Sequence, residues 1–406
     1  MNIDLSEAQI DLERRFRELV DDELAPAVRR MGEWSADESD PSSESGMVAD
    51  TRQAVWRALV DLGATRLLLP PGHGGEDSGQ LGAVMLAELL GSALYQGPLL
   101  DTMLATEALL HASEAPRSDV AGRDMPDDTS KRLAEIAEGA AIPVAVRDDG
   151  RDHHVRPGLL ESDAEGTTIS AQRRFVDFAL DGRYLLVIGR SADPSAGQAV
   201  HGALVARDHP SISFRRQEDV GRGHLYAVRC DQTPVLSWHG DAVRGCQAWP
   251  RVVAHARIRH AAYLVGLSQG ALDLAVARVT QRKQFGRPIG QFQALAHRLA
   301  QLATRVEGAR WLVRAAAWEA DRDEDVRLSA AQAVASAADL AGDITVAAMQ
   351  MHGAHGMTEE ADIQLYYRRA CIDRAWMGAA AELRREVAPL LIEAMNARRP
   401  GSGHAR

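Results

Sequence analysis

The sequence predicts an α+β fold in three consecutive parts: a helical domain over residues 1–125, a β-barrel or sandwich over 126–249 and a four-helix bundle over 250–406. Three observations carry that expectation. Apolar residues recur at three- and four-residue steps near the start of the chain, short β-prone runs separated by Gly, Asp and Pro fill the middle, and the last third is Ala-rich and amphipathic without strand signals. With 46% apolar residues, 406 residues suffice for two or three modest cores.

The N-terminal helices rest on Leu12, Phe16, Leu19 and Val20, then Val55, Leu59 and Leu62, then Leu86, Leu89 and Leu90. Between them ADESDPSSESGMVAD is acidic, Ser-rich and poor in apolar residues, which predicts a surface excursion. The paired Pro and repeated Gly of LLLPPGHGGEDSG stop a helix and force a tight loop. In the middle, AIPVAV, GTTISA, RFVDFAL, RYLLVIG, GALVARD and HLYAVRC predict a sheet of about six to eight strands. Beyond Arg251, four long segments predict the bundle, the last of them running unbroken from ADIQLYYRRA to LLIEAMNA.

Composition excludes several function classes. Forty-six basic against 57 acidic residues give a net charge of -11, so no chain-wide positive field collects nucleic acid or anionic lipid. Every apolar stretch breaks well short of the roughly 20 residues that a bilayer span needs, and the acidic, amphipathic start is unlike a secretory leader. A cytoplasmic location is expected. Cys230, Cys246 and Cys371 are too few and too scattered for a disulfide frame or a Cys-based zinc site, and buried thiols are expected. His352 and His355 have no further ligand at metal spacing. No period of about 20–50 residues repeats.

Two motifs bear on function. TQRKQFGRPIGQFQALAHRLA and, downstream, MQMHGAHGMTEEADIQLYYRRA resemble the two C-terminal signatures of acyl-CoA dehydrogenases. LLLPPGHGGEDSGQLGAVMLAELLG and VGLSQGALDLAVARV are similar to that family's N-terminal loop and to the helix that opens its bundle. The resemblance implies an acyl-CoA dehydrogenase-like fold, FAD, an acyl thioester carried by CoA or a carrier protein, and a tetramer. It also implies chemistry in which a carboxylate removes the α-proton while the flavin takes the β-hydrogen as hydride.

Carried over to this sequence, the resemblance assigns Arg282, Gln284 and Phe285 to the FAD of a neighbouring subunit, Gln293 to its adenosine portion, and Gln350, Gly353 and Ala354 to a turn against the cofactor, where relatives have Gly in place of Ala354. The residue types suit these roles, since a guanidinium fork pairs with pyrophosphate oxygens, and Gly286, Gly353 and Gly356 let backbone approach. Arg257 falls near the thioester and its pantetheine, although the Asp expected three residues earlier is Ala254.

The base is missing. Counting from Tyr367 and Arg368, the family's Glu falls on Met377, and the alternative position ahead of the VGLSQ stretch falls on Ala256. A thioether accepts no proton at neutral pH, and Ala379 lacks the hydroxyl that relatives aim at the flavin. Asp373 is the nearest substitute by helical spacing and, with Glu382, is expected to be solvated or salt-bridged. The β region repeats the loss: AVRDDGRDHHVRPG lacks the family's Thr and Ser, and RFVDFAL keeps Phe175 and Val176 but sets Asp177 near the ring, a charge unfavourable to a reduced flavin.

The expectation is therefore a subunit that completes the FAD site of a homologous sister chain in a heterotetramer. The alternatives are a self-sufficient homotetrameric acyl-CoA dehydrogenase with an unusual base, and a flavin-dependent oxygenase or tailoring enzyme on the same scaffold.

Overall fold

The computed structural model describes residues 7–26, 46–76, 78–114, 129–147, 157–163, 166–191, 200–218, 220–221, 223–240 and 248–397. Most of the acidic excursion, most of the AVRDDGRDHHVRPG stretch and Cys246 lie outside them.

Helix α1 (Glu7–Leu19), extended by a π turn over Val20–Leu24, buries Leu12, Phe16, Val20 and Leu24, one residue per turn. Helix α2 (Gly46–Asp61) buries Val55 and Leu59. After the Pro70–Pro71 turn come α3 (Gly79–Ser92), α4 (Leu99–Glu114) and α5 (Thr129–Ala137). The backbone amides of Gln80 and Leu81, at the start of α3, donate to the Asp321 carboxylate at 2.5 and 3.0 Å. A residue some 240 positions away thus supplies the acceptor that the first helical turn lacks.

Among the described residues eight strands follow: β1 (Val144–Ala145), β2 (Leu159–Ser162), β3 (Thr168–Asp177), β4 (Tyr184–Ser191), β5 (Val200–Ala206), β6 (Ile212–Arg216), β7 (Leu225–Pro234) and β8 (Ser237–Gly240). They form one sheet in the order β6-β7-β3-β2-β4-β5-β8, with β1 and β2 parallel to β4 and the other pairs antiparallel. Strand β4 is buried on both faces: Leu185 and Val187 join a small core within the sheet, while Tyr184, Leu186 and Ile188 join the main core shared with the helices. GTTISA and RFVDFAL, separate runs in sequence, are one ten-residue strand that stops where Phe178 turns to φ +52°.

Helix α6 (Ala248–Gln281) is the spine of the molecule, packed against α3 and α4 on one side and against α7 (Gln293–Ala320) and α8 (Arg327–His352) on the other. The last predicted helix is broken. It forms α9 (Ile363–Asp373) and α10 (Ala380–Ala397), separated by turns that end on Gly378 at φ +117°, a conformation that glycine adopts without Cβ conflict. Met377, expected mid-helix, therefore sits in the break. Cys230 is buried as expected, but Cys371 is exposed on α9, whose inward face is taken by Tyr366, Arg369, Ala370 and Asp373. No described helix is long and apolar enough to cross a membrane.

Candidate active and cofactor sites

Among the concavities along the bundle, two of different character hold residues that the sequence singled out. The first is an open groove of about 620 Å³ between the C-terminal end of α6 and the turn after α8, lined by Arg278, Arg282, Gln284, Ile289, Gln350, Met351 and residues 352–355. A two-residue hairpin positions its outer edge, with β9 (Lys283–Gln284) paired to β10 (Arg287–Pro288) and Phe285 and Gly286 both at positive φ. Phe285 is 91% exposed, edge-on to Phe292 at 6.1 Å. Helix α8 ends at Gly353, at φ +64° and ψ -146°, where an added Cβ would meet nothing within 4 Å, so the backbone there faces open space. His352 hydrogen-bonds the Ala348 carbonyl, and burial lowers its pKa with help from the nearby Arg278.

Of the residues the sequence assigned to the cofactor, the structure gathers Arg282, Gln284, Gln350, Gly353 and Ala354 on this groove. Phe285 stands beside it and Gln293 opens α7, exposed and off the groove wall. Arg278 was missed. It precedes Arg282 by one helical turn, and that i,i+4 spacing at the end of α6 was the available signal. Neither arginine has a carboxylate partner among the described residues, and Arg278 Nε is buried with no hydrogen-bond partner among them.

The second concavity is a cavity of about 60 Å³, with walls from α4, the end of β3, α6 and α9 together with the break that follows. Met377 and Ala256, the two places where the sequence sought the base, both line it. Three carboxylates face it as well: Asp101, Asp177 and Asp373. Asp373 is buried, not solvated, and takes Arg369 Nε at 2.8 Å, while Asp177 stands 3.5 Å from Arg369 Nη2. Glu382 is exposed and off the wall. Asp101, on α4, accepts the Val144 amide at 3.2 Å and has no cation partner among the described residues; burial pushes its pKa up to about 7. Sequence reasoning missed Asp101, whose signal was a lone acid in the first turn of the otherwise apolar LLDTMLA.

Arg257 lines neither concavity. Its guanidinium donates to Glu386 at 2.7 and 3.3 Å and to the Met377 carbonyl at 3.2 Å, so it holds the α9–α10 break in place. Behind the cavity, Glu107 of α4 binds Arg259 (2.7 Å) and His255 (2.8 Å) of α6 and Gln80 of α3 (2.6 Å). Burial alone would raise the Glu107 pKa, but the Arg259 charge and the His255 hydrogen bond outweigh it and hold the carboxyl at about 2. No cluster of three or more metal-ligating side chains occurs among the described residues.

Comparison with known proteins fits this geometry. The acyl-CoA dehydrogenase C-terminal domain model matches residues 244–391. Acyl-CoA dehydrogenase IpdE2 of Mycolicibacterium smegmatis is 30% identical over 355 residues, covering 87% of this chain and 92% of the relative. The chain belongs to the acyl-CoA dehydrogenase family. In fold, this acyl-CoA dehydrogenase is similar to the Tcur3481–Tcur3483 steroid ACAD (TM-score 0.80, 24% identity, 96% of this chain and 99% of that one). It is also similar to a chain of the ChsE4–ChsE5 complex from Mycobacterium tuberculosis (TM-score 0.77, 21% identity, 99% and 100% covered).

The family's members are FAD-binding oxidoreductases, and the two concavities differ in how they suit that cofactor. The groove suits its nucleotide half: two cations without carboxylate partners among the described residues, two amides and a glycine turn open to a close approach. The cavity does not suit the flavin ring. It offers about 60 Å³ where ligand pockets span hundreds, and Arg369 on its wall already meets two carboxylates.

Proposed function

We propose that this chain is the subunit of a heteromeric acyl-CoA dehydrogenase that completes the FAD site of a homologous sister chain. One observation carries the reading: an open cationic groove coexists with a narrow cavity of about 60 Å³ that has Met377 and Ala256 at both base positions. In this reading Arg282 and Arg278 pair with the pyrophosphate, Gln350 and Gln284 hydrogen-bond the nucleotide, Gln293 meets the adenosine portion, and Gly353 with Ala354 keeps side chains clear of its path. FAD, when bound, accepts the hydride from an acyl thioester whose α-proton goes to the sister chain's base. The names of two fold relatives, ChsE4–ChsE5 and Tcur3481–Tcur3483, each pair two components, which supports the reading.

The test is flavin content. The chain purified alone is expected to be colourless, and its complex with a co-expressed homologous chain that carries the Glu is expected to hold about one FAD per two chains. A full complement of FAD in the lone chain sinks the proposal.

Asp101 favours a second reading, a self-sufficient dehydrogenase that uses this carboxyl as its base, because it lines the cavity with no cation among the described residues to hold its proton off. Anaerobic bleaching of FAD by an acyl-CoA with the lone chain, lost in Asp101→Asn, would establish that reading over the first.

A further inference from the structure

Arg369 is 7% exposed and Asp373 3%, so both charges have left water. A buried guanidinium demands counter-charge. Here two elements supply it: Asp373 one turn along the same helix at 2.8 Å, and Asp177 from the end of β3 at 3.5 Å, with Gln96 Oε1 at the same 3.5 Å distance. His260 Nε2 sits 2.7 Å from the Asp373 carbonyl and fixes the helix end beneath the pair. All but Gln96 of these residues line the cavity, so its wall carries its own ion pairs across the space a ligand would fill. An electron-rich or anionic ligand entering there would displace a carboxylate from Arg369 and then face Asp101, Asp177 and Asp373 at low dielectric, a repulsive arrangement.

We infer that Arg369 is an internal stand-in for ligand. Held by Asp177 and Asp373, it fills the cavity wall and clamps strand β3 to helix α9, so that the chain keeps its fold, and with it the groove at the C-terminal end of α6, without a ligand at this place. This inference stands without the heteromer reading, because it concerns the lone chain.

The experiment uses the purified full-length chain, thermal unfolding and two probes: lumiflavin, a ring without phosphate or nucleotide, and ADP. The wild-type melting temperature is expected to be unmoved by lumiflavin. Removing the centre of a buried ion-pair network with Arg369→Met should lower it by about 4–8 °C, and Asp177→Asn by about 2–4 °C. The double variant should melt no lower than Arg369→Met, because the two side chains act as one unit. Amide exchange should rise together across β3 and α9 in Arg369→Met. If that variant does not fold, Asp177→Asn with the exchange measurement decides alone. Lumiflavin raising the wild-type melting temperature by about 2 °C or more, additive substitutions, or exchange that rises only in α9 would each overturn the inference. A response to ADP that Arg369→Met leaves unchanged supports it, since it shows the groove intact while the clamp is cut.

Discussion

The groove and the cavity are built on opposite stretches of the same helix, yet their arginines are in opposite states. Arg278 and Arg282 have no carboxylate partner among the described residues, whereas Arg369 has two within 3.5 Å. The comparison teaches a way to separate a binding arginine from a structural one that residue type cannot give: ask whether the protein has already supplied the counter-charge. A cation left without one on a concave wall is a site for an anion. A cation with two is part of the wall. The contrast in space agrees, about 620 Å³ against about 60 Å³.

The severest way to break this comparison is to put the missing base back. Met377 is 4% exposed and shares the cavity with three carboxylates. Met377→Glu would bury a fourth carboxyl beside them without a partner, and the expected outcome is a loss of about 3–5 kcal/mol of stability with no dehydrogenation gained by the lone chain. Urea unfolding measures the first, and anaerobic bleaching of flavin by acyl-CoA the second. A stable variant that bleaches flavin would mean that the cavity is a working site lacking only its base, and the two regions would no longer be opposites.

A smaller effect tests the groove. Arg282→Ala removes a charge-assisted contact to the pyrophosphate and should weaken FAD binding by the assembled complex about 10- to 100-fold, equivalent to about 1.4–2.8 kcal/mol, read by fluorescence titration. The melting temperature of the lone chain should stay within about 1 °C, because Arg282 is exposed and no ion pair involves it among the described residues. Unchanged affinity would remove the groove from the flavin site.

Much of the groove was legible in the sequence because it is nearly contiguous there. RKQFG and QMHGA each bring several wall residues on a single turn, so spacing alone places them together. The cavity was illegible because it is a convergence: Asp101 comes from α4, Asp177 from β3, Ala256 from α6 and Asp373 from α9, and no periodicity links them. Counting found Met377 and Ala256 as positions but gave no view of which acids face them. The fold shows the same division. The helical and β textures read correctly, but strands β2, β6 and β8 (LLES, ISFRR and SWHG) mix polar or charged residues into short runs and gave no apolar signal, and the break at Gly378 was hidden because a helix-forming composition flanks it on both sides. The partner of Arg257 was hidden for a related reason: the motif identified the helix, while Glu386 comes from beyond the break.

The mildest prediction sharpens the contrast by removing one titrating carboxyl from the cavity and leaving the groove untouched. Asp101 has an ordinary carboxyl pKa of 3.8 when unfolded, but burial pushes it up to about 7 in the folded chain. Between those values the folded state holds the proton more tightly, so the carboxyl's contribution is most favourable near pH 4 and is lost as the pH rises through about 7. Glu107 works in the opposite sense: its pKa is held at about 2, so it stabilises above its ordinary range and loses that contribution as the pH falls from about 4.5 toward 2. Buried His224, His260 and His352 also shift stability below about pH 6.5, so it is the difference between Asp101→Asn and the wild type, from about pH 4.5 to 8, that isolates Asp101. In that window Asp101→Asn, neutral throughout, should melt with the wild type at the acid end and above it at pH 8, by on the order of 1–2 kcal/mol once screening of a half-buried group is allowed for. FAD affinity of the assembled complex should be the same for variant and wild type across that range, since the groove shares no wall residue with the cavity. A parallel pair of stability curves would mean that Asp101 titrates normally and that its end of the cavity is wet. Because His352 on the groove wall titrates in both proteins, only a pH dependence of flavin affinity that differs between Asp101→Asn and the wild type would mean that the two regions are coupled through α6.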